Sequence, residues 1–194
     1  MTRNPKQRVI GVTGRIGAGK STFISEFMKQ VPDSKRVATS DLLRETLALW
    51  GLPPERRRLV LLAKFLREHV GPEVIVGGVR RRIEESSERY VLIDGVRGGR
   101  VLNLLRSFKG SVLVAVTAEP RVRYDRIHVR PEKPDELHLT QEEFEALDAS
   151  EFGHELEVLE RQADLRIENN ASRAEFEDRV AAFVQGLGHD TSSE

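Results

Sequence analysis

The chain contains no cysteine, only two methionines and one tryptophan, and aromatic residues make up 6% of its 194 residues. The absence of cysteine excludes disulfide bonds and cysteine-ligated zinc or iron–sulfur sites. No apolar run approaches the roughly 18–20 residues that cross a bilayer. The polar residues 1–7 do not resemble a secretory signal either. We therefore expect no membrane segment, and the cytoplasm as the compartment.

The chain also lacks an excess of charge of either sign, because 31 Lys and Arg balance 31 Asp and Glu. Without a net positive field, dedicated binding to nucleic acid or to an anionic membrane is not expected. The hydrophobic share of 39% and the charged share of 32% are typical of a globular domain. The positive charge is carried mostly by arginine, whose fork-shaped side chain is well suited to binding anions.

Short apolar runs alternate with longer helical patterns, which predicts an α/β fold. Strands are expected at residues 8–13, 36–39, 90–93, 111–117 and 164–168. Helices are expected at residues 20–31, 41–50, 55–70, 73–88, 100–108, 120–130, 140–163 and 172–186. Capping boxes begin the last two helices, and residues 188–194 are expected to be a frayed tail. The predicted architecture is a three-layer αβα sandwich, with helices on both faces of five parallel strands and ligands at their carboxyl ends.

One motif is specific. Residues 14–21, GRIGAGKS, fit the pattern G-x-x-x-x-G-K-[ST] between an apolar strand and a helix. The glycines let backbone N–H groups surround a phosphate, and the helix N-terminus adds partial positive charge. Lys20 is expected to contact the β- and γ-phosphates of ATP, and the Ser21 hydroxyl to ligate Mg²⁺. The predicted nucleotide-binding residues are Gly14, Gly17, Ala18, Gly19, Lys20, Ser21 and Thr22.

A second candidate metal ligand is Asp94, which ends the apolar run at residues 90–93. Beside a phosphate loop, such an acid can hold Mg²⁺ directly or through a water molecule. On its own, an acid after a strand is more often a turn or cap residue. Arg126 and Arg130 lie four positions apart on a predicted helix and therefore share one face.

Several segments resemble nucleoside monophosphate kinases, dephospho-CoA kinases and, most of all, the adenylate-kinase-like P-loop proteins of archaea. The segments are residues 13–22, close to the loop of dephospho-CoA kinase; 40–44 (SDLLR, for GDxLR); 94–97 (DGVR, for DG(F)PR); 123–130 (RYDRIHVR, for the RLxxR stretch before the lid); and 163–169, for the closing strand. The resemblance covers residues 8–187. It implies a single P-loop kinase domain over residues 1–194, with a short lid at about residues 131–139 that closes over bound nucleotide.

The resemblance also implies cofactors and roles. ATP and Mg²⁺ are the expected cofactors, and the expected partner is a small nucleotide that accepts the phosphoryl group. The implied catalytic residues are Lys20, Asp41, Arg126 and Arg130. The implied substrate-binding residues are Arg44, Arg97 and Asp94, with the two arginines on the acceptor's phosphate. Arg121 and Arg123 are expected at the surface.

The sequence leaves three possibilities for what receives the phosphoryl group. A hydroxyl acceptor, as in dephospho-CoA kinase, needs a general base, and Asp41 is the best candidate. A phosphate acceptor needs no base, and Asp41 would then organise water on Mg²⁺ or cap its helix. Two acceptor-side arginines favour the phosphate. A nucleotide-dependent switch is a third possibility, although the base-reading motif N-K-x-D of GTPases is missing.

Overall fold

The computed structural model describes residues 7–129, 140–149 and 151–189. Within these ranges, five parallel strands form one sheet of order β2-β3-β1-β4-β5. The strands are β1 (Arg8–Thr13), β2 (Ser34–Ala38), β3 (Tyr90–Asp94), β4 (Val112–Thr117) and β5 (Leu165–Glu168). The predicted α/β class and the five-stranded parallel sheet are confirmed.

Helices connect the strands and cover both faces of the sheet. They are α1 (Lys20–Gln30), α2 (Thr39–Leu49), α3 (Arg56–Phe65), α4 (Val74–Glu84), α5 (Gly99–Arg106), α6 (Pro120–Val129), α7 (Gln141–Ala149), α8 (Glu151–Arg161) and α9 (Arg173–His189). A single π-helical turn, Leu66–Val70, continues α3. Among the described helices, none is long and apolar enough to cross a membrane.

Two apolar layers enclose the sheet. Strand residues such as Val12 and Leu92 pack against Phe27 of α1 and Phe176 of α9 on one face. On the opposite face, Val91 and Ile93 pack against side chains of α4, α5 and α8. Burial of both faces explains why the central strands are almost continuously apolar. A separate small cluster joins α2 to α3, which gives the insertion between β2 and β3 its own core.

The strand register fixes what meets at the carboxyl edge of the sheet. Asp94, the last residue of β3, lies beside Val12 of β1 and Ala38 of β2. The loop after β1 and the start of α2 therefore both lie next to Asp94. This edge is where an open parallel sheet binds its ligands.

Some predicted boundaries are wrong. Strand β2 begins at Ser34, because its ladder to β3 starts at Tyr90, and helix α2 already begins at Thr39. The single helix predicted for residues 140–163 is divided into α7 and α8. Helix α9 runs past Gly186, because Leu187 is buried in the layer beneath it.

Both predicted capping boxes are confirmed. The Glu143 N–H donates to Thr140 Oγ1 at 3.2 Å, and the Thr140 N–H donates to the Glu143 carboxylate at 2.9 Å. Ser172 and Glu175 make the same reciprocal pair before α9. Each box satisfies N–H groups that a helix start leaves without intrahelical partners.

An ion pair joins α5 to the residue that precedes β5, an edge strand of the sheet. Arg106 of α5 donates to both carboxylate oxygens of Asp164, at 2.6 and 3.0 Å. The backbone N–H of Leu113 donates to the same carboxylate at 2.7 Å. Burial raises the pKa of Asp164, but the hydrogen bond from Arg106 and that from Leu113 outweigh it, so the pKa lies below its ordinary value.

Candidate functional site

The loop after β1 needs glycine at three positions. Gly14, Gly17 and Gly19 have φ of +143°, +73° and +102°, in the region that L side chains rarely adopt. There is also no room for side chains. A Cβ at these positions would meet, in turn, the carbonyl oxygen of Val116 at 2.2 Å, that of Arg123 at 2.6 Å and Nδ2 of Asn169 at 2.2 Å. Residues 14–21 are thus held tightly between β4, α6 and the end of β5.

The helix that follows the loop begins at Lys20, so its N-terminal N–H groups face the loop. The Lys20 ammonium group donates to the Arg15 carbonyl oxygen at 2.9 Å, which holds it back across the loop. Ala18 is fully buried, whereas Ser21 is exposed and Thr22 is half-buried. Lys20 is therefore placed where a phosphate in the loop would take over its hydrogen bond.

Asn169 joins the loop to α6. Its side-chain Nδ2 donates to the Ala18 carbonyl oxygen at 2.8 Å, and its Oδ1 accepts from Arg126 Nη2 at 3.2 Å. Arg126 Nη1 is buried and has no hydrogen-bond partner among the described residues. Burial lowers the pKa of the Arg126 guanidinium. A desolvated cation with an unpaired donor is ready to receive an anion.

That guanidinium lies at a cavity of about 560 Å³ that opens beside the loop. The cavity is lined by Gly17, Gly19, Ser21, Thr22, Ser25, Glu26, Arg126, Ile127, Val129, Asn169, Arg173 and Phe176. The lining combines glycines of the loop, two arginines and Glu26 with apolar side chains of α6 and α9. A nucleoside phosphate likewise combines a charged part with a largely apolar part.

Arg123 corrects the sequence prediction. It was expected at the surface, yet it is only 2% exposed. Its guanidinium pairs with both carboxylate oxygens of Asp148 and donates to the Ala118 carbonyl at 3.0 Å and the Ile16 carbonyl at 3.3 Å. It is buried because four acceptors from three segments surround it, which compensates its desolvation. Arg123 therefore ties the phosphate loop to α7.

Arg15 strengthens the same connection from the loop side. Its Nη1 donates to the Asp148 carbonyl oxygen at 2.9 Å, and its guanidinium lies 3.9 Å from the Glu160 carboxylate. Burial raises the pKa of Glu160, and the charge of Arg15 opposes that rise. The loop is thus anchored to both α7 and α8.

On the side of the site formed by β2, β3 and α2, arginine and aspartate side chains alternate in a row of ion pairs. Arg36 of β2 donates from Nε to Asp94 Oδ2 at 2.7 Å and from Nη1 to Asp41 Oδ2 at 2.7 Å, and its Nη2 lies 2.7 Å from the same Asp94 oxygen. Arg44 donates to Asp41 Oδ1 at 2.8 Å and to Ser40 Oγ at 2.9 Å. Burial lowers the pKa of Arg36, but Asp94 and then Asp41 outweigh it, so the pKa is raised.

Arg36 and Asp94 line a second cavity, of about 540 Å³, on the exposed side of α1. Its remaining lining residues are Ser21, Ile24, Ser25, Met28 and Lys29. Because Ser21 and Ser25 line both cavities, the two cavities meet at the first turns of α1. The site therefore has two adjoining halves around Ser21.

The two predicted metal ligands, Ser21 and Asp94, lie on the same cavity. Asp94 Oδ2 is taken by Arg36, while Oδ1 has no hydrogen bond from any described residue. In the described ranges no group of three or more acidic or histidine side chains could hold a metal ion. This donor set fits Mg²⁺, which takes few protein ligands and completes its shell with phosphate oxygens and water.

Two other predicted residues have different outcomes. Arg97 is exposed in the loop between β3 and α5, next to Asp94 in the chain and at the same sheet edge. Arg130 and the predicted lid at residues 131–139 lie outside the described residues. Arg121 is exposed on α6, as expected.

Sequence reasoning missed four residues of this site: Arg36, Arg123, Asp148 and Asn169. Arg36 and Arg123 are arginines in segments where most arginines are solvated, so residue type alone gave no signal. A signal existed for Asn169, because it ends the segment that resembles a kinase closing strand. Its contact with Ala18 depends on the pairing of β5 with β4 in the sheet, which a local sequence pattern does not predict.

This sheet order, with a phosphate loop after the central strand, defines the fold of P-loop kinases. The structure is similar to shikimate kinase from Bacteroides thetaiotaomicron, with a TM-score of 0.63 and 15% identity over 94% of this chain and 98% of that one. TT1252 from Thermus thermophilus gives a TM-score of 0.61 and 20% identity, over 93% and 97%. At this identity the likeness shows the fold.

Sequence comparison adds the family, although no protein-family model matches the chain. A UPF0200 protein of Hyperthermus butylicus is 33% identical over 179 residues, which cover 92% of this chain and 94% of the relative. A UPF0200 protein of Thermococcus gammatolerans is 31% identical over 189 residues, covering 92% and 95%. The chain belongs to the UPF0200 family. The fold is that of P-loop kinases, while kinase activity and the narrower nucleoside monophosphate kinase and dephospho-CoA kinase assignments stay predictions.

Proposed function

We propose that the protein is an ATP-dependent phosphotransferase that moves the γ-phosphoryl group to a small nucleotide, with a nucleoside monophosphate as acceptor. The observation that carries the proposal is Arg126 Nη1, a buried donor with no partner among the described residues, beside a complete phosphate loop. Phosphoryl transfer depends on positioning and charge neutralisation, and this half of the site supplies both.

On the donor side, the backbone N–H groups of residues 14–22 hold the phosphates. Lys20 leaves the Arg15 carbonyl for the β- and γ-phosphates, and Arg126 neutralises the transferred group with its free Nη1. Ser21 and Asp94 Oδ1 would hold Mg²⁺, which neutralises charge on the phosphate oxygens when bound. Asn169 positions Arg126 against the loop through its two hydrogen bonds.

On the acceptor side, Arg44 and Arg97 would hold the acceptor's phosphate. A guanidinium fork binds phosphate through paired, charge-assisted hydrogen bonds. Asp41 already accepts a hydrogen bond from arginine on each oxygen. The presence of two arginines on the acceptor side favours a phosphate acceptor over a ribose hydroxyl.

An assay with an acceptor panel tests the proposal. The protein is incubated with ATP and Mg²⁺ and, in turn, nucleoside monophosphates, dephospho-CoA, shikimate or no acceptor, and ADP is measured. We expect ADP formation that depends on a nucleoside monophosphate. Lys20→Ala should reduce it below about a tenth of the parent rate, whereas Arg121→Ala, a change at an exposed arginine on α6, should leave it unchanged.

Two outcomes would contradict the proposal. Turnover with dephospho-CoA or shikimate alone would move the acceptor to the hydroxyl class. ADP formation that ignores every acceptor, in the parent protein, would indicate a nucleotide-dependent switch instead of a kinase.

A further inference from the structure

Glu26 of α1 is a buried acid that lines the cavity beside the phosphate loop. It is only 7% exposed, and a carboxylate buried to this degree needs partners that offset its loss of water. Two cations supply them, since Lys29 Nζ and Arg173 Nη2 donate to Oε1 at 2.8 and 2.9 Å. The hydrogen bond from Lys29 is the main reason why the pKa of Glu26 lies below its ordinary value. The carboxylate is therefore charged at neutral pH.

The two carboxylate oxygens of Glu26 differ in their surroundings. Oε1 holds both cations, and its contact with Arg173 joins α1 to the start of α9. Oε2 accepts no hydrogen bond from any residue in the part of the chain that the structure describes. The connection between the two helices thus uses one oxygen only. The other oxygen is a charged acceptor that can receive a hydrogen bond from a ligand in the cavity.

The position of Glu26 along α1 indicates which part of a nucleotide it would meet. Lys20 begins the helix at the phosphate loop, and Glu26 follows it by six residues, which is about 9 Å along the helix axis. The residues of α1 that line the cavity are Ser21, Thr22, Ser25 and Glu26, and Glu26 is the farthest of them from the loop. A nucleotide whose phosphates lie at Lys20 holds its base beyond the sugar. A carboxylate suits this end of the ligand, because it would repel the phosphates.

We propose that Glu26 selects adenine as the base of the donor nucleotide, with Oε2 accepting a hydrogen bond from the exocyclic amino group. This inference rests on the proposed function, since it names the base of the nucleotide that the phosphate loop would hold. Adenine carries its amino group where guanine carries the acceptor O6. An oxygen at that corner would face the Glu26 carboxylate and be repelled. A pyrimidine is one ring shorter, so its amino group would extend less far from the sugar.

Calorimetric binding of nucleoside diphosphates tests the inference without requiring turnover. Purine riboside diphosphate differs from ADP only in having hydrogen in place of the amino group. The parent protein should bind ADP about tenfold or more tightly than this analogue, because the analogue lacks the hydrogen bond to a charged acceptor. GDP and CDP should also bind more weakly than ADP.

Glu26→Gln exchanges the acceptor for a donor at nearly constant shape. Lys29 and Arg173 should hold the amide oxygen in the place of Oε1, so that the amide nitrogen replaces Oε2. The preference for ADP over purine riboside diphosphate should then fall below about threefold. Inosine diphosphate, which carries an oxygen in place of the amino group, should bind to this variant more tightly than to the parent protein.

Glu177→Gln is the matched control. Glu177 accepts from Arg173 Nε at 2.6 Å, so this variant also weakens a carboxylate partner of Arg173, but Glu177 is not among the residues that line the cavity. The preference for ADP should therefore not change. A role of Glu26 limited to holding α1 against α9 would weaken the binding of every diphosphate by the same factor, so the ratio of affinities separates that role from base recognition.

Three results would overturn the inference. They are equal binding of ADP and purine riboside diphosphate by the parent protein, an unchanged preference in folded Glu26→Gln, and tighter binding of GDP or CDP than of ADP. If circular dichroism shows that Glu26→Gln is unfolded, the comparison of ADP with purine riboside diphosphate on the parent protein decides alone.

Failure of the proposed function gives a different result. If the parent protein binds ADP with the expected preference but phosphorylates no nucleoside monophosphate, the proposed function fails and the assignment of Glu26 stands. If it phosphorylates a nucleoside monophosphate but shows no preference for the amino group, the inference alone fails. No binding of any diphosphate would overturn both.

Discussion

Replacing Arg123 with methionine tests the account of how the phosphate loop is held. The change removes both hydrogen bonds to Asp148 and leaves the carbonyls of Ala118 and Ile16 without this donor. Removing one partner of a buried ion pair costs about 3–5 kcal/mol. We expect the low end, about 3 kcal/mol, because Asp148 is 20% exposed and keeps its ion pair with Arg15.

Urea unfolding followed by circular dichroism measures this loss. Arg161→Met is the matched control, because Arg161 pairs with Glu157 on an exposed helix face and should cost at most about 1 kcal/mol. The double variant Arg123→Met/Asp148→Leu should recover most of the loss, since it leaves no unpaired charge. A loss for Arg123→Met no larger than the control's would refute the reasoning.

Three further predictions concern Arg97, Asn169 and Asp164. Arg97→Ala should raise the acceptor KM about tenfold or more and leave the ATP KM unchanged, since the proposed contact with the acceptor's phosphate is charge-assisted and residues 14–21 are untouched; equal changes in both constants would contradict it. Asn169→Ala should weaken calorimetric binding of an ATP analogue about tenfold, because it removes an amide that satisfies two buried groups; unchanged affinity would count against the link. Because Arg106 lowers the pKa of Asp164, this carboxylate stabilises the fold above its unfolded pKa, and the contribution is lost as the pH falls through the folded pKa. In the Asp164→Asn variant, the free energy of unfolding should therefore fall less steeply as the pH decreases below about pH 4. A fall as steep as that of the parent protein would contradict the assignment.

The phosphate loop could be located from sequence because its requirements are local. Residues 14–21 carry the glycines that the positive φ angles demand, and Lys20 begins the helix that the pattern predicts. The central strands were found for a similar reason, since burial on both faces makes them almost continuously apolar. Boundaries failed where a distant partner decides them, as at Leu187, whose burial extends α9 past Gly186.

The missed residues of the site all depend on non-local pairing. Arg36 reaches Asp94 only because β2 lies beside β3 in this register, and the chain separates them by 58 positions. Arg123 is buried because α7 brings Asp148, 25 positions further along the chain, into contact with it. An arginine on a helix is ordinarily solvated, so the prediction of a surface position followed the usual behaviour of the residue and was wrong.

The central claim, transfer to a phosphate, is tested most directly by ³¹P nuclear magnetic resonance of the product. The protein is incubated with ATP, Mg²⁺ and each nucleoside monophosphate, and the spectrum distinguishes the new bond. We predict two diphosphates for each ATP consumed, because ADP and the new nucleoside diphosphate each give a coupled pair of doublets, and no consumption of ATP with Lys20→Ala. One diphosphate for each ATP, accompanied by a singlet from a new phosphate monoester or from inorganic phosphate, would contradict the account.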